Sequence, residues 1–178
     1  MNSFYLENEL IELGFKSIGK NVLISRNARF YSPKTIEIGN NVRIDDFCII
    51  SGDVKIGSHI HISAYVAIYG KLGVELEDYT GISPRSTIYS AMDDFSGDYL
   101  IGPIHDESKT NVTGGKVLVK RFAQIGCNSV IFPNITIGEG CVVGACSLVR
   151  SSLDDWYIYT GIPVSKLRKR SSSLQNKV

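Results

Sequence analysis

The side chains able to move protons near neutral pH are few, and the three histidines, His59, His61 and His105, come first because unperturbed imidazole alone titrates between about pH 5 and 8. His105 stands in "GPIHDES", an acidic and polar stretch, and is the candidate general base. His59 and His61 flank Ile60 and Ile62, so strand alternation turns both away from whatever core those isoleucines enter. A surface or subunit contact is the plainer reading for the pair, with His61 the alternative base. Asp93, Asp94 and Asp98 precede His105 and can orient it or bind substrate hydroxyls; Asp93 and Asp94 are the candidate substrate ligands. The four cysteines, Cys48, Cys127, Cys141 and Cys146, form no CxxC pair and have no histidine at ligand spacing. They read as reduced residues of a cytoplasmic protein, and no metal is expected.

The elements that carry these residues announce themselves by a step of six. Val119, Ile125, Ile131, Ile137, Val143 and Val149 keep it, as do Ile18, Ile24, Phe30 and Ile36, then Ile38, Ile44, Ile50, Ile56, Ile62, Ile68 and Val74, then Leu76, Ile82 and Ile88. The register slips by two at Ile36/Ile38 and at Val74/Leu76. A helix buries a stripe at 3.6 residues and a flat strand at two, so a sustained step of six predicts short repeated strands. Six residues cannot bury their aliphatic side alone or pair their own backbone groups, and stacked neighbours must supply both. Glycine follows many of the aliphatics (Gly19, Gly39, Gly57, Gly126, Gly138) and is expected to serve the corners.

These [LIV]-G-x4 units, over about Ile18 to Arg168, resemble the hexapeptide-repeat acyltransferase family, which implies an all-β fold, a left-handed parallel β-helix. The handedness is the family's, since the general crossover rule would give the right-handed sense. The resemblance implies acetyl-CoA as co-substrate and a homotrimer with sites between neighbouring chains; outward Tyr65, Tyr69 and Phe47 suit such packing. In related galactoside, maltose and xenobiotic acetyltransferases a loop interrupts the hexads and carries the catalytic histidine about a dozen residues before they resume, as His105 precedes Val117. Some sugar N-acetyltransferases carry a histidine in a strand like "HISAY", which brings in His61 and Tyr65 as site candidates. "GACSLVRSSL" is similar to the turn that contacts the pantetheine arm, implying donor contacts from Ala145, Ser147 and Arg150. "TGIPVSKLRKR" is similar to the closing segment, adding Lys166 and Arg168. The carbonic anhydrases of this fold bind zinc through widely spaced histidines, a pattern absent here.

With 178 residues and a net charge of +1, one domain is expected, with no nucleic-acid partner and no membrane insertion. The expected divisions are an N-terminal helical cap over 1–17, the β-helix over 18–154 with a loop excursion at 89–116, a closing segment over 155–170 with a short basic helix from Val164 to Arg170, and a disordered tail over 171–178. Trp156 is expected to plug the last coil. The implied reaction is direct acetyl transfer to a hydroxyl or amine of a sugar or sugar nucleotide, without an acyl-enzyme. Drug acetylation and a non-catalytic scaffold are the alternatives.

Overall fold

A computed structural model describes residues 3–178; the first two residues of the expected cap lie outside them. The strands are short, and nearly all pair in parallel with the strand one coil away: Ile44 faces Ile62, Ile50 faces Ile68 and Ile125 faces Val143. One coil spans 18 residues between Asn40 and Ser58 and 20 between Lys20 and Asn40. Stacked through about 7 turns, these coils form a left-handed parallel β-helix. Its interior is the hexad column: Ile24, Ile44, Ile50, Ile62, Ile68, Ile82, Ile88, Ile125 and Ile131 are at most 1% exposed. Each such side chain contributes roughly 1.5–3 kcal/mol of burial free energy.

The two-residue slips have a physical location. Ile36 lies beside Val54, Val54 beside Val74 and Val74 beside Val117, so all four occupy one column. The extra residues of the longer coils therefore sit just before that column, in the 3-10 turn Pro33–Thr35 and in the stretch Gly70–Gly73 of the strand Ala67–Leu76. The excursion between Tyr89 and Val117 leaves from the same corner. It is less irregular than the sequence implies: Ala91–Asp93 and Val112–Gly114 pair antiparallel and form a ribbon at its base. Every departure from the repeat thus gathers at one edge of the prism.

The other corners correct the expected role of glycine. Positive φ falls on Asn21, Asn41, His59, Tyr79, Phe122, Gly140 and Trp156 down one edge, and on Phe47, Tyr65, Arg85, Asn128 and Cys146 down another. The repeat glycines instead allow close stacking, since a Cβ on Gly39 would lie 2.6 Å from the Gly57 carbonyl oxygen. A non-glycine residue in this left-handed region costs roughly 1–2 kcal/mol, and side-chain stacking offsets it. His59 lies on Tyr79 with ring centroids 4.6 Å apart, Tyr79 on Phe122 at 5.3 Å, and Phe122 tilts against Trp156 at 6.2 Å. Trp156 therefore ends an external ring stack at a corner; it does not plug the core.

Both open ends are closed. The helix Glu7–Glu12 buries Leu10, and Phe4 bridges antiparallel to Ser25. At the other end the segment expected to be a basic helix is the strand Ser165–Lys169, paired antiparallel with Tyr157–Thr160. Strand pairing wins there because the last coil presents an unpaired edge, and a returning strand satisfies its backbone groups where a helix would leave them open. Ser173–Lys177 forms a 3-10 turn, so the tail is ordered locally. Among the described residues no helix is long and apolar enough to cross a membrane.

Candidate active site

The edge that collects the irregularities bounds a cleft of about 1080 Å³. Its floor comes from successive coils, through Ser51, Gly52, Tyr69 and Tyr89, and its far wall from the excursion, through Asp93 and His105. His105 is exposed and follows Gly102, whose φ of +98° turns the chain, and Pro103. The residue after it, Asp106, accepts from the Ser108 backbone N–H at 2.9 Å and from the Ser108 hydroxyl at 2.8 Å. Those bonds hold the Asp106 carboxyl below its usual range and start the turn Glu107–Lys109, giving the loop around His105 a fixed shape.

The two adjacent aspartates part company. Asp93 lines the cleft, whereas Asp94 accepts from the Ser96 backbone N–H at 2.8 Å and the Asn111 amide at 2.9 Å and serves the excursion's own geometry. Tyr65 is also remote from the cleft: it stands at a left-handed corner, stacked on Phe47 at 4.9 Å, with the Arg85 guanidinium 4.9 Å from its ring centre. Ser51, Lys71 and Tyr89 enter the cleft although sequence reasoning passed over them. The signal was present: Ser51, Tyr69 and Tyr89 each follow an inward isoleucine and so occupy matching outward positions.

His61 lies on a different face, in the strand Ile60–Ile62 of the 8-stranded sheet. Its Nε2 is 2.7 Å from Asp45 Oδ2, and Arg43 Nε donates to Asp45 Oδ1 at 2.7 Å. Burial raises the Asp45 pKa, but the hydrogen bonds from Arg43 and His61 outweigh it and the net direction is down. The single chain thus holds its two candidate bases apart, one in the cleft and one on an outer sheet.

The proposed donor contacts are divided: Ala145, Ser147 and Arg150 flank the strand Leu148–Val149 of the 10-stranded sheet, whereas Lys166 and Arg168 lie on Ser165–Lys169, in the same 8-stranded sheet as His61. Ala145 is exposed beside the left-handed Cys146, while the Ser147 hydroxyl is buried, donating to the Ala145 carbonyl at 3.4 Å and accepting from the Gly161 N–H at 3.2 Å. Arg150 lies 6.0 Å from the Phe132 ring centre. Lys166 pairs with Asp154 at 2.6 Å and sits 4.0 Å above Tyr157, while Arg168 is exposed opposite Ile158. Cys48 and Cys141 are free and buried, and burial pushes their thiols up to about 11 and about 12, which makes them poor nucleophiles. Among the described residues no cluster of three or more potential metal ligands occurs.

A prism of stacked hexads with a loop-walled cleft at one edge is the architecture of a hexapeptide transferase, and residues 35–70 match the bacterial transferase hexapeptide (six repeats) family. The chain is 42% identical over 171 residues, 94% of its own length and 89% of the relative's, to the dTDP-4-amino-4,6-dideoxy-D-glucose acyltransferase of Escherichia coli. It superposes with a TM-score of 0.97 at 54% identity, over 99% of this chain and 95% of the other, on AntD, an N-acyltransferase from Bacillus cereus in complex with dTDP and 3-hydroxybutyryl-CoA. A chloramphenicol acetyltransferase of Agrobacterium fabrum matches at 34% identity over 56 residues, 32% of this chain. The chain belongs to the hexapeptide-repeat acyltransferases, and it is an enzyme.

Proposed function

We propose that the chain transfers an acyl group from acyl-CoA to the amino group of a nucleotide-linked amino sugar of the dTDP-4-amino-4,6-dideoxyglucose kind. The observation that carries this reading is the near-complete superposition on an N-acyltransferase holding dTDP and an acyl-CoA. The cleft agrees with it, being of a size for a large polar acceptor and lined by both aromatic and ionisable groups. The drug-acetylation alternative has support only from a segment of the chain.

In the reaction the amine nitrogen attacks the thioester carbonyl, a C–N bond forms and the C–S bond breaks. The nitrogen gives up a proton, and the departing sulfur leaves as thiolate and takes one up. His105 is read as the group that accepts the proton, with Asp93, which lines the same cleft, as a ligand of the sugar. A comparison favours Asp93 over Asp94: AntD variants carry replacements of a serine and of an aspartate whose separation in that chain equals that of Ser83 and Asp93 here. His61, held by Asp45, is the alternative base. A backbone N–H would stabilise the oxyanion. Ala145 and Ser147 form the turn along which the pantetheine arm lies in this reading, and Arg150, Lys166 and Arg168 supply cations for the donor phosphates. Asp94 and Tyr65 act indirectly, through the shape of the excursion and of the corner. The working assembly is a homotrimer, and the compartment is the cytoplasm.

The test is an acceptor screen with acetyl-CoA and 3-hydroxybutyryl-CoA, read by thiol release. The 4-amino nucleotide sugar should exceed free amino sugars and chloramphenicol in kcat/KM by at least a hundredfold. Equal turnover of the free sugar would remove the nucleotide from the function.

A further inference from the structure

One outward column on the cleft floor is missing a ring. Tyr31 faces Ser51, Ser51 faces Tyr69 and Tyr69 faces Tyr89, each pair one coil apart. Tyr69 and Tyr89 stack with centroids 5.2 Å apart and planes 15° apart. Tyr89 is the more enclosed, and burial raises its phenol pKa above the ordinary value; Tyr69 is 36% exposed. On the other side of Tyr69 the column holds only a serine, so the face of that ring looks onto a gap. Neighbouring strands are about 4.8 Å apart, so a side chain two coils away leaves room for one planar group at the level of Ser51. The same stretch of cleft contains Lys71, which is exposed and has no ion pair among the described residues. Lys71 belongs to one of the lengthened corners, two residues past Tyr69, and is exposed at the cleft.

We propose that this gap is the base-reading subsite of the acceptor: the nucleobase of a nucleoside diphosphate stacks on Tyr69 above Ser51, and Lys71 pairs with its diphosphate. The inference rests on the nucleotide-sugar reading above and assigns its specificity-determining residues. Tyr69 supplies a flat apolar surface, Ser51 supplies space and Lys71 supplies the charge. Asp93 and His105, on the far wall, are left for the sugar end. An alternating wall of rings and a single gap suits a base because stacking on an aromatic face is strong and needs no rearrangement of the sheet.

Calorimetric titration of the full chain with dTDP and with thymidine, beside steady-state kinetics, tests it. Ser51→Tyr is the decisive variant, because it completes the ring column and should keep or raise Tm while weakening dTDP by at least tenfold. Tyr69→Ala should weaken dTDP and thymidine alike, roughly 5- to 150-fold, whereas Tyr69→Phe should stay within about twofold of the parent. Lys71→Gln should weaken dTDP and leave thymidine unchanged. In all of them KM for acyl-CoA should hold. Parent-like dTDP binding in Ser51→Tyr and Tyr69→Ala overturns the subsite while the nucleotide-sugar function stands. A rise in acyl-CoA KM would hand the gap to the donor. If the parent binds neither dTDP nor a dTDP-sugar, the functional reading and the subsite both fall.

Discussion

At the scale of single residues, the two histidines make opposite predictions. If His105 accepts the amine proton, His105→Ala lowers kcat by about 10²- to 10⁴-fold with Tm nearly unchanged, since its loop lies outside the stacked coils. His61→Ala should leave kcat within a few fold; the reverse outcome would transfer the role to the Asp45–His61 pair. A second residue-level expectation concerns stability. Thr80 is 2% exposed and its hydroxyl has no hydrogen-bond partner among the described residues. By contrast, buried Ser86 and Ser129 donate to the Gly126 and Gly144 carbonyls at 2.9 and 3.1 Å. An unpaired buried hydroxyl costs about 1–3 kcal/mol, and valine has nearly the same shape. Thr80→Val should therefore raise Tm in a thermal melt; a fall of several degrees would mean the hydroxyl is satisfied in solution.

At the scale of elements, the left-handed corners and the ion ladder can each be tested. Gly140 is the one glycine in the ring-bearing corner column, with a φ of +61°, and a Cβ there would lie 2.4 Å from the Trp156 ring. Gly140→Ala must push Trp156 aside as well as strain the backbone. It should cost on the order of 1–3 kcal/mol, and because Trp156 is the sole tryptophan, its emission should shift with the change. On another face Glu75 joins coils across the excursion, accepting from Lys116 at 2.6 Å and from Lys55 at 3.0 Å. Those two hydrogen bonds hold its carboxyl below the ordinary 4.5. A depressed folded-state pKa favours the native state while the group is ionised, so the contribution is complete above about pH 4.5 and drains as pH falls through the lower folded value. Glu75→Gln should lose stability at pH 7 and match the parent more closely in strong acid. A constant deficit across that range would show the loss is packing, not charge.

At the scale of the whole molecule, the distance of His61 and of the basic closing strand from the cleft lining is the ground for the proposed assembly. His61 and the basic closing strand belong to the same 8-stranded sheet, several strands apart, and neither lines the cleft. In the proposed homotrimer one chain's cleft would meet a neighbour's outer sheet, and Phe95, Ile101 and Ile104, exposed on the excursion, would be covered there. Light scattering at micromolar concentration should give three times the 19.6 kDa chain mass. A fully active monomer would remove the shared site. If the proposed donor contacts hold, Lys166→Gln with Arg168→Gln should raise KM for acyl-CoA and spare that of the acceptor, although Lys166 must first give up part of its Asp154 pairing.

The step of six was enough to call for short strands stacked around one interior column, because six residues can neither bury their aliphatic side nor pair their backbone alone; the left-handed β-helix itself came from the family resemblance. The step also marked the excursion, since polar sequence cannot join such a column. The sequence left undecided where the irregularities gather, because Ile36 and Val74 look like ordinary steps until pairing with Val54 and Val117 shows the extra residues lie before them. It likewise could not separate Asp93 from Asp94, neighbours in the chain whose side chains answer to different partners. Nor could it turn the basic closing segment into a strand, since propensity is local and the unpaired edge of the last coil is not. What the chain alone carried was periodicity, a property of spacing; only stacking decided which outward residues, tens of positions apart, share a cleft wall.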